Sequence, residues 1–501
     1  MIDIRIHSSR HLEVKITYPI TELRSYRRDI NYYIFSPPQL NVSRALIRRE
    51  AMLRKFQAHA RYSSPEITFD ELLDETNKIS PLYLVEYYSK LLSDGSARVV
   101  DEIVIGEIQT LCNSFRHEGS RITGECKTSA GEDQYMLLSS WYRQTEHAVS
   151  RYRLAMENVR CRYPTGNKLC SAFLWGDEAI SLLIENTALD LYRMVQNSPH
   201  FKKDNYLFLL TKAKEELNYR QSKQYQSGVT PFSTQSSENL IYRSAELKKW
   251  TQSVLYLNPI QSKKPERFTG ILAGAAAAIA MTFATLTAIF AETLFLKNSM
   301  QWALLVIAAY VFKDRIKEGL RSFFNRVLPH LLADQIFYFN SPRTGRRLNK
   351  TKVVLRMTGA DHLPPLIQRV REEGDNPFID MMPQEDVVQY SRYVKVYRNK
   401  KSREVGPWIN SMTVVIRLRI DDWLKEMDDS DDIFYYPSQE SEIEAKQSAK
   451  VYHLHLVITE SSGKNRIEDL HHVKLVLNKK GIVRLERIES AFSGEKNGED
   501  H

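Results

Sequence analysis

The chain has 501 residues, 43% hydrophobic and 26% charged, too long for one small domain and too apolar for a disordered polymer. Its formal net charge of +9 raises nucleic acid as a partner, but the cations crowd beside one apolar stretch, where an anionic leaflet is the simpler partner and nucleic acid is not expected. The four cysteines, Cys112, Cys126, Cys161 and Cys170, include no C-x-x-C pair, which argues against a disulfide framework or a zinc knuckle.

Residues 1–40 alternate as strands do: Ile2, Ile4 and Ile6 against Asp3, Arg5 and His7, then Leu12, Val14, Ile16 and Tyr18, then a run from Tyr32 to Phe35. That run stops at Ser36-Pro37-Pro38, because proline has no N–H for a ladder. A small amino-terminal β region is expected there. From 41 to 257 the apolar period turns helical, which predicts a cytosolic helical bundle. Ala45, Leu46, Met52, Leu53 and Phe56 mark a first helix, Thr68 and Glu71 a capping box before a second, and Ser80-Pro81 the start of a third. Longer amphipathic runs follow, and the polar, Gly-bearing stretches 116–133 and 224–238 read as loops between them.

Residues 258–267 form a basic juxtamembrane linker into an apolar segment, 268–312. Its first arm, 268–290, holds about 23 residues with no ionisable side chain, enough for a helix to cross the roughly 30 Å hydrocarbon core. The second arm, about 294–312, reaches spanning length only if Lys297 extends its ammonium to the head groups. Together they predict a two-helix transmembrane hairpin. Lys263, Lys264 and Arg267 before it, and Lys313, Arg315, Lys317 and Arg321 after it, favour the cytosolic side and contact with anionic lipids. Both termini are then cytoplasmic, in a bacterial inner membrane. Asp3, Arg5 and Arg10 interrupt any early apolar run, so the first arm itself is expected to direct insertion. Gly270, Gly274 and Ala278 recur at every fourth position, the spacing at which two helix backbones approach closely, within the hairpin or between copies.

Residues 313–334 keep a helical stripe through Ile316, Leu320, Phe323 and Val327 opposite lysines and arginines, an amphipathic stem that Pro329 is expected to kink. From 335 to 490 period two returns, cleanest in Val414, Ile416, Leu418 and Ile420, and the last two strands meet across Asn478-Lys479-Lys480-Gly481. An antiparallel, cytosolic β-rich domain is expected, then a polar tail at 491–501. The fold class is thus a multidomain α+β membrane protein: a small amino-terminal sheet, a helical bundle, a transmembrane hairpin and a carboxy-terminal antiparallel β domain.

On the strand around 451–459, Leu454, Leu456 and Ile458 share one face, which places His453 and His455 on the other, and His472 falls on that same side of the next strand. Three imidazoles on one sheet face are a candidate Zn²⁺ site, or a group titrating together near about pH 6. No Cys, Asp or Glu completes the set at a recognisable spacing, so a plain solvated face is the competing expectation. The acidic run from Asp421 to Asp432 lacks the glycine and terminal Glu of a calcium loop, and Glu13-Val14-Lys15 lacks the partner aspartate that metal-assisted cleavage needs. No phosphate-binding glycine loop, dinucleotide turn, zinc-protease helix or serine elbow occurs, no catalytic residue stands out, and no cofactor is expected. The functional expectation is a membrane-anchored, cytosol-facing scaffold, sensor or adaptor with a protein partner. Two alternatives are an oligomeric, pore-like membrane effector gated by its cytosolic lobes, and a membrane-tethered metal-dependent enzyme built on the histidine face.

Overall fold

A computed structural model describes residues 2–20, 25–37, 40, 49–94, 101–160, 166–197, 203–230, 233–262, 264–296, 299–331, 333–341, 345–373, 385–397, 409–428, 431–437, 443–462 and 466–488. Among them the chain is mixed α+β, with three antiparallel sheets and twelve α-helices.

Three strands open the chain, β1 (Ile2–Ser8), β2 (His11–Pro19) and β3 (Tyr26–Ser36), followed by α1 (Arg49–Leu53) and β4 (Phe56–Tyr62). Seven helices then form a bundle: α2 (Phe69–Leu73), α3 (Pro81–Asp94), α4 (Asp101–Thr128), α5 (Gly131–Arg160), α6 (Lys168–Gln196), α7 (Lys203–Ser222) and α8 (Thr234–Gln252). The chain returns through β5 (Tyr256–Leu257) and β6 (Pro259–Gln261), and leaves again as two long helices, α9 (Lys264–Leu294) and α10 (Met300–Leu331). The rest is β7 (Gln335–Asn340), β8 (Arg347–Gly359), α11 (Pro365–Glu372), β9 (Asp386–Val396), β10 (Ser411–Arg419), α12 (Asp421–Lys425), β11 (Asp431–Pro437), β12 (Ile443–Ala449), β13 (Tyr452–Ser462), β14 (Arg466–Asn478) and β15 (Gly481–Ile488).

The opening strands pair with the closing ones. A five-stranded sheet runs β1-β2-β10-β4-β5, with Ile16 opposite Val414, and an eight-stranded sheet runs β15-β14-β13-β3-β9-β8-β7-β6, with β3 between β13 and β9. The two sheets face each other across one core. Leu12, Val14, Ile16, Val414 and Ile416 point inward from the first sheet and Ile30, Ile34, Leu454, Leu456 and Leu475 from the second, while the Phe56 and Tyr390 rings stack across the gap at 3.8 Å. Trp423 of α12 is fully buried at the edge, its indole donating to the Ser36 hydroxyl at 3.1 Å. The final hairpin turn is as the sequence implies: Asn478 Oδ1 accepts from the N–H groups of Lys480 and Gly481 (3.0 and 3.1 Å), and Gly481 takes φ +141°.

Two local expectations fail for tertiary reasons. Only Arg49–Leu53 of the supposed first helix is helical among the described residues, and Phe56 starts a strand; β4 zips onto β10, which directs Phe56, Ala60 and Tyr62 into the core. The stretch 116–133 is not a loop but the last turns of α4 and the start of α5. Its glycine and polar residues serve helix contact: a Cβ on Gly119 would meet Thr187 Oγ1 of α6 at 2.7 Å, and buried Glu118 is held by Arg121. The capping box holds as read, with Thr68 Oγ1 accepting from Glu71 N–H and Glu71 Oε2 from Thr68 N–H (3.3 and 3.0 Å). The tail at 491–501 lies outside the described residues.

Candidate functional site

The apolar hairpin segment becomes α9 and α10, which lie antiparallel against each other. One helix among the described residues, spanning Gly270–Leu294, is long and apolar enough to cross a membrane. Only 11% of its apolar window is buried, with Ile271, Leu286 and Phe290 exposed by 60% or more. α10 does not reach that standard: its apolar part ends at Phe312, and Lys313, Asp314, Arg315, Lys317, Glu318 and Arg321 follow on the same helix. A two-helix span is therefore not established by length and composition. The Lys313 ammonium sits over the Tyr310 ring at 3.5 Å, the contact of an amphipathic boundary. The feet of the pair are joined, because β6 and β7 pair antiparallel with Ile260 opposite Tyr338, and Ser262 N–H donates to the Ile336 carbonyl at 2.8 Å. Lys263 and Lys297 lie outside the described residues, and Lys264 and Arg267 fall in the first turn of α9.

The small-residue stripe points away from the neighbouring arm. Ala276, Ala280 and Ala291 of α9 and Ala309 of α10 are the buried alanines of the pair, whereas Gly270, Gly274 and Ala278 are exposed and a Cβ on either glycine meets nothing within 4 Å. The four-residue spacing was visible, but the phase that meets the second arm is two residues further on.

The three histidines divide. His455 and His472 are each only 2% exposed and pair directly, Nδ1 to Nε2 at 3.1 Å, while His453 remains exposed on the same strand. The solvated face is thus a covered one: α11 lies over it, and Ile367 and Val370 pack with Tyr33, Phe35, Val457 and Leu470. Arg371 of α11 acts on the pair and is clamped by Glu385 at 2.9 and 2.8 Å, and Lys474 lies opposite His455 on β14. Burial, then Arg371, lowers the His455 pKa to about 2 and that of His472 to about 4, so both rings are neutral at physiological pH. No group of three or more His, Cys, Asp or Glu side chains among the described residues is placed to hold a metal ion. The neutral pair spends one nitrogen of each ring, His455 Nδ1 and His472 Nε2, on its mutual hydrogen bond.

Sequence reasoning missed the densest polar cluster, inside the bundle. Arg153 of α5 donates to Asp177 of α6 and Glu216 of α7 (3.1 and 2.7 Å), and Lys212 reaches Glu216 at 2.9 Å and also pairs with Glu146. The Tyr219 and Tyr225 hydroxyls both donate to Asp177 Oδ2 at 2.8 Å, and Arg243 of α8 binds Glu178 at 2.7 Å. Burial alone would raise the Glu216 carboxyl, but Arg153 and Lys212 outweigh it and hold its pKa below the usual value. A signal existed: Lys212, Glu216 and Arg220 recur every four residues beside Leu209 and Ala213, so the inward stripe of α7 carries charge. Each charge has its partner, and the cluster welds four helices together instead of presenting a reactive group.

No protein-family model matches this chain, and no curated protein and no solved structure matches it.

Proposed function

We propose that the protein is a membrane-anchored, cytosol-facing scaffold or adaptor, whose hairpin of α9 and α10 holds the bundle and the paired sheets on one side of a bilayer. The observation that carries this reading is the β6–β7 clamp beneath a bare apolar helix: the chain leaves and re-enters the sheet at one point, so whatever α9 enters, α10 must leave on the same side. Exposed Leu304, Ile307, Val311 and Phe312 extend the apolar surface onto α10, and Lys313, Arg315, Lys317 and Arg321 mark where it meets anionic head groups. The acyl chains cover surface that would otherwise be a large exposed apolar patch.

The test is carbonate extraction of the full-length chain, with reporters fused at each terminus. The expected result is retention in the membrane pellet and two cytoplasmic reporters. Release into the supernatant, or a reporter outside the cell, would sink the reading. A second reading, an oligomeric membrane effector, is supported by the outward stripe of Gly270, Gly274 and Ala278, which leaves a close-packing helix face for another copy. A metal-dependent enzyme on the histidine face has less support, since His455 and His472 are buried and hydrogen-bonded to each other.

A further inference from the structure

The outer face of the five-stranded sheet gathers cations that neither the core nor the hairpin explains. Alternation along β1, β2, β10 and β4 turns Arg5, Lys15, Arg417, His59 and Arg61 away from the core and onto one patch. Arg5 and Arg417 flank Glu13 in register, Lys15 and His59 lie on either side of Val415, and Arg61 lies opposite Tyr256. These side chains line a cleft of about 410 Å³, bounded on one side by the segment Tyr256 to Pro259.

Glu13 is the one carboxylate in the described wall, only 1% exposed and bound by Arg5 at 2.6 Å and Arg417 at 2.9 Å. Lys15 reaches it only at 3.9 Å, and Asp3 lies opposite Lys15 on β1, so four permanent cations face two carboxylates. Burial, then Arg5, lowers the Lys15 pKa against the opposing pull of Glu13 and Asp3, and burial, then Arg417, lowers that of His59 against Glu13. A cleft lined mainly by cations concentrates anions, and guanidinium forks match tetrahedral oxyanions in bidentate fashion. Its place in the fold adds a second constraint. Pro259, on the rim, is five residues from Lys264, where α9 begins, and an extended chain of that length covers at most about 17 Å.

We propose that this cleft binds a phosphomonoester, presented by an anionic lipid head group or by a soluble phosphate ester. The lipid source rests on the membrane-anchor reading, which puts the foot of α9 at head-group depth; recognition of the phosphate does not.

Full-length protein in mild detergent is titrated with glycerophosphate and with inorganic phosphate by calorimetry. The same protein in nanodiscs of phosphatidylcholine, with and without phosphatidic acid, is analysed by native mass spectrometry for retained lipid. K15Q/R61Q is expected to weaken phosphate binding at least about tenfold, the loss of charge-assisted hydrogen bonds. R61K keeps the charge but loses the fork and so falls between the parent and K15Q/R61Q, and K425Q, which removes an exposed charge outside the cleft, leaves the affinity unchanged. Both altered cleft residues are partly exposed, and an unchanged unfolding midpoint verifies that K15Q/R61Q is folded. If retained phosphatidic acid falls in K15Q/R61Q, the head group is the source; if only the soluble probes lose affinity, it is a soluble ester. Failure of the parent protein to bind either probe, or equal binding by K15Q/R61Q, overturns the site. Carbonate extraction of K15Q/R61Q reads the membrane anchor separately, since the cleft variant stays in the pellet whatever its phosphate affinity.

Discussion

Glu216 in the bundle and Arg392 between the sheets are both about 1% exposed, yet their surroundings differ in kind. Glu216 lies between Arg153 and Lys212, whereas among the described residues the Arg392 guanidinium donates to the Tyr390 hydroxyl at 3.0 Å, with the Tyr18 and Tyr32 phenols as further polar neighbours. Its Nε and Nη2 atoms have no partner among the described residues. A buried charge within a matched set costs most when one member is removed, because the others stay buried without compensation; a buried charge with no counter-charge is itself the cost. Helices let acids and bases meet because i,i+4 spacing on α7 aims Lys212 and Glu216 at the same neighbours. The sheet core receives its inward side chains from alternating positions on distant strands, so a polar residue there meets whatever the opposite sheet offers.

The contrast breaks down if the two substitutions act alike. Glu216→Leu is expected to destabilise the bundle by ~3–5 kcal/mol, measured by chemical unfolding of the detergent-solubilised protein with a probe on the bundle tryptophans. Arg392→Met should be neutral or stabilise the paired sheets by up to ~4 kcal/mol. A loss of several kcal/mol at Arg392 would mean that the three phenols compensate the guanidinium as fully as carboxylates do in the bundle.

Acid separates the two regions as well. His455 and His472 bind protons near about pH 6.5 when unfolded but only near about 2 and about 4 when folded, so from pH 6.5 downward the unfolded chain takes up more protons and the sheet region loses stability. The slope is about 1.4 kcal/mol per pH unit for each histidine, until pH reaches about 4 for His472. Glu216, with its pKa lowered below 4.5, contributes stability that is present above 4.5 and is lost as pH falls through its folded value. The β region should therefore soften before the bundle. His472→Gln should flatten the decline between pH 6.5 and 4 when unfolding midpoints are followed by near-ultraviolet dichroism; an unchanged slope would remove the pair as its cause.

Much of the fold was legible where the signal is local. The capping box at Thr68, the Asn478–Gly481 turn and the alternation of Val414, Ile416 and Leu418 each follow from a few adjacent residues. What escaped depends on partners far along the chain. Nothing within β2 names β10, some 400 residues away, as its neighbour, and nothing within β3 says it will lie between β13 and β9. The histidines show the same limit: alternation correctly set His455 and His472 on one face, but whether that face is wet depends on α11, an eight-residue helix that crosses it. The outward cations of the cleft were each visible as strand residues, but their convergence requires the pairing of β1, β2, β10 and β4.

The smallest effect belongs to the hairpin and separates its two uses. A Cβ on Gly270 or Gly274 meets nothing within 4 Å, so Gly270→Ala and Gly274→Ala should leave the α9–α10 contact intact and firm the helix by about 0.5–1 kcal/mol each. Gly270→Ile with Gly274→Ile widens the same stripe without touching Ala276 or Ala280, the positions that face α10. Under simple anchoring, cross-linking in native membranes is the same for parent and variant. Under assembly through the stripe, the parent forms cross-linked multimers and the isoleucine variant does not, because close backbone approach is what small residues permit in lipid. Either result also bears on the contrast between the regions: the bundle and the sheets settle their contacts within one chain, and the outward face of α9 is the place where a second chain can enter without displacing any of them.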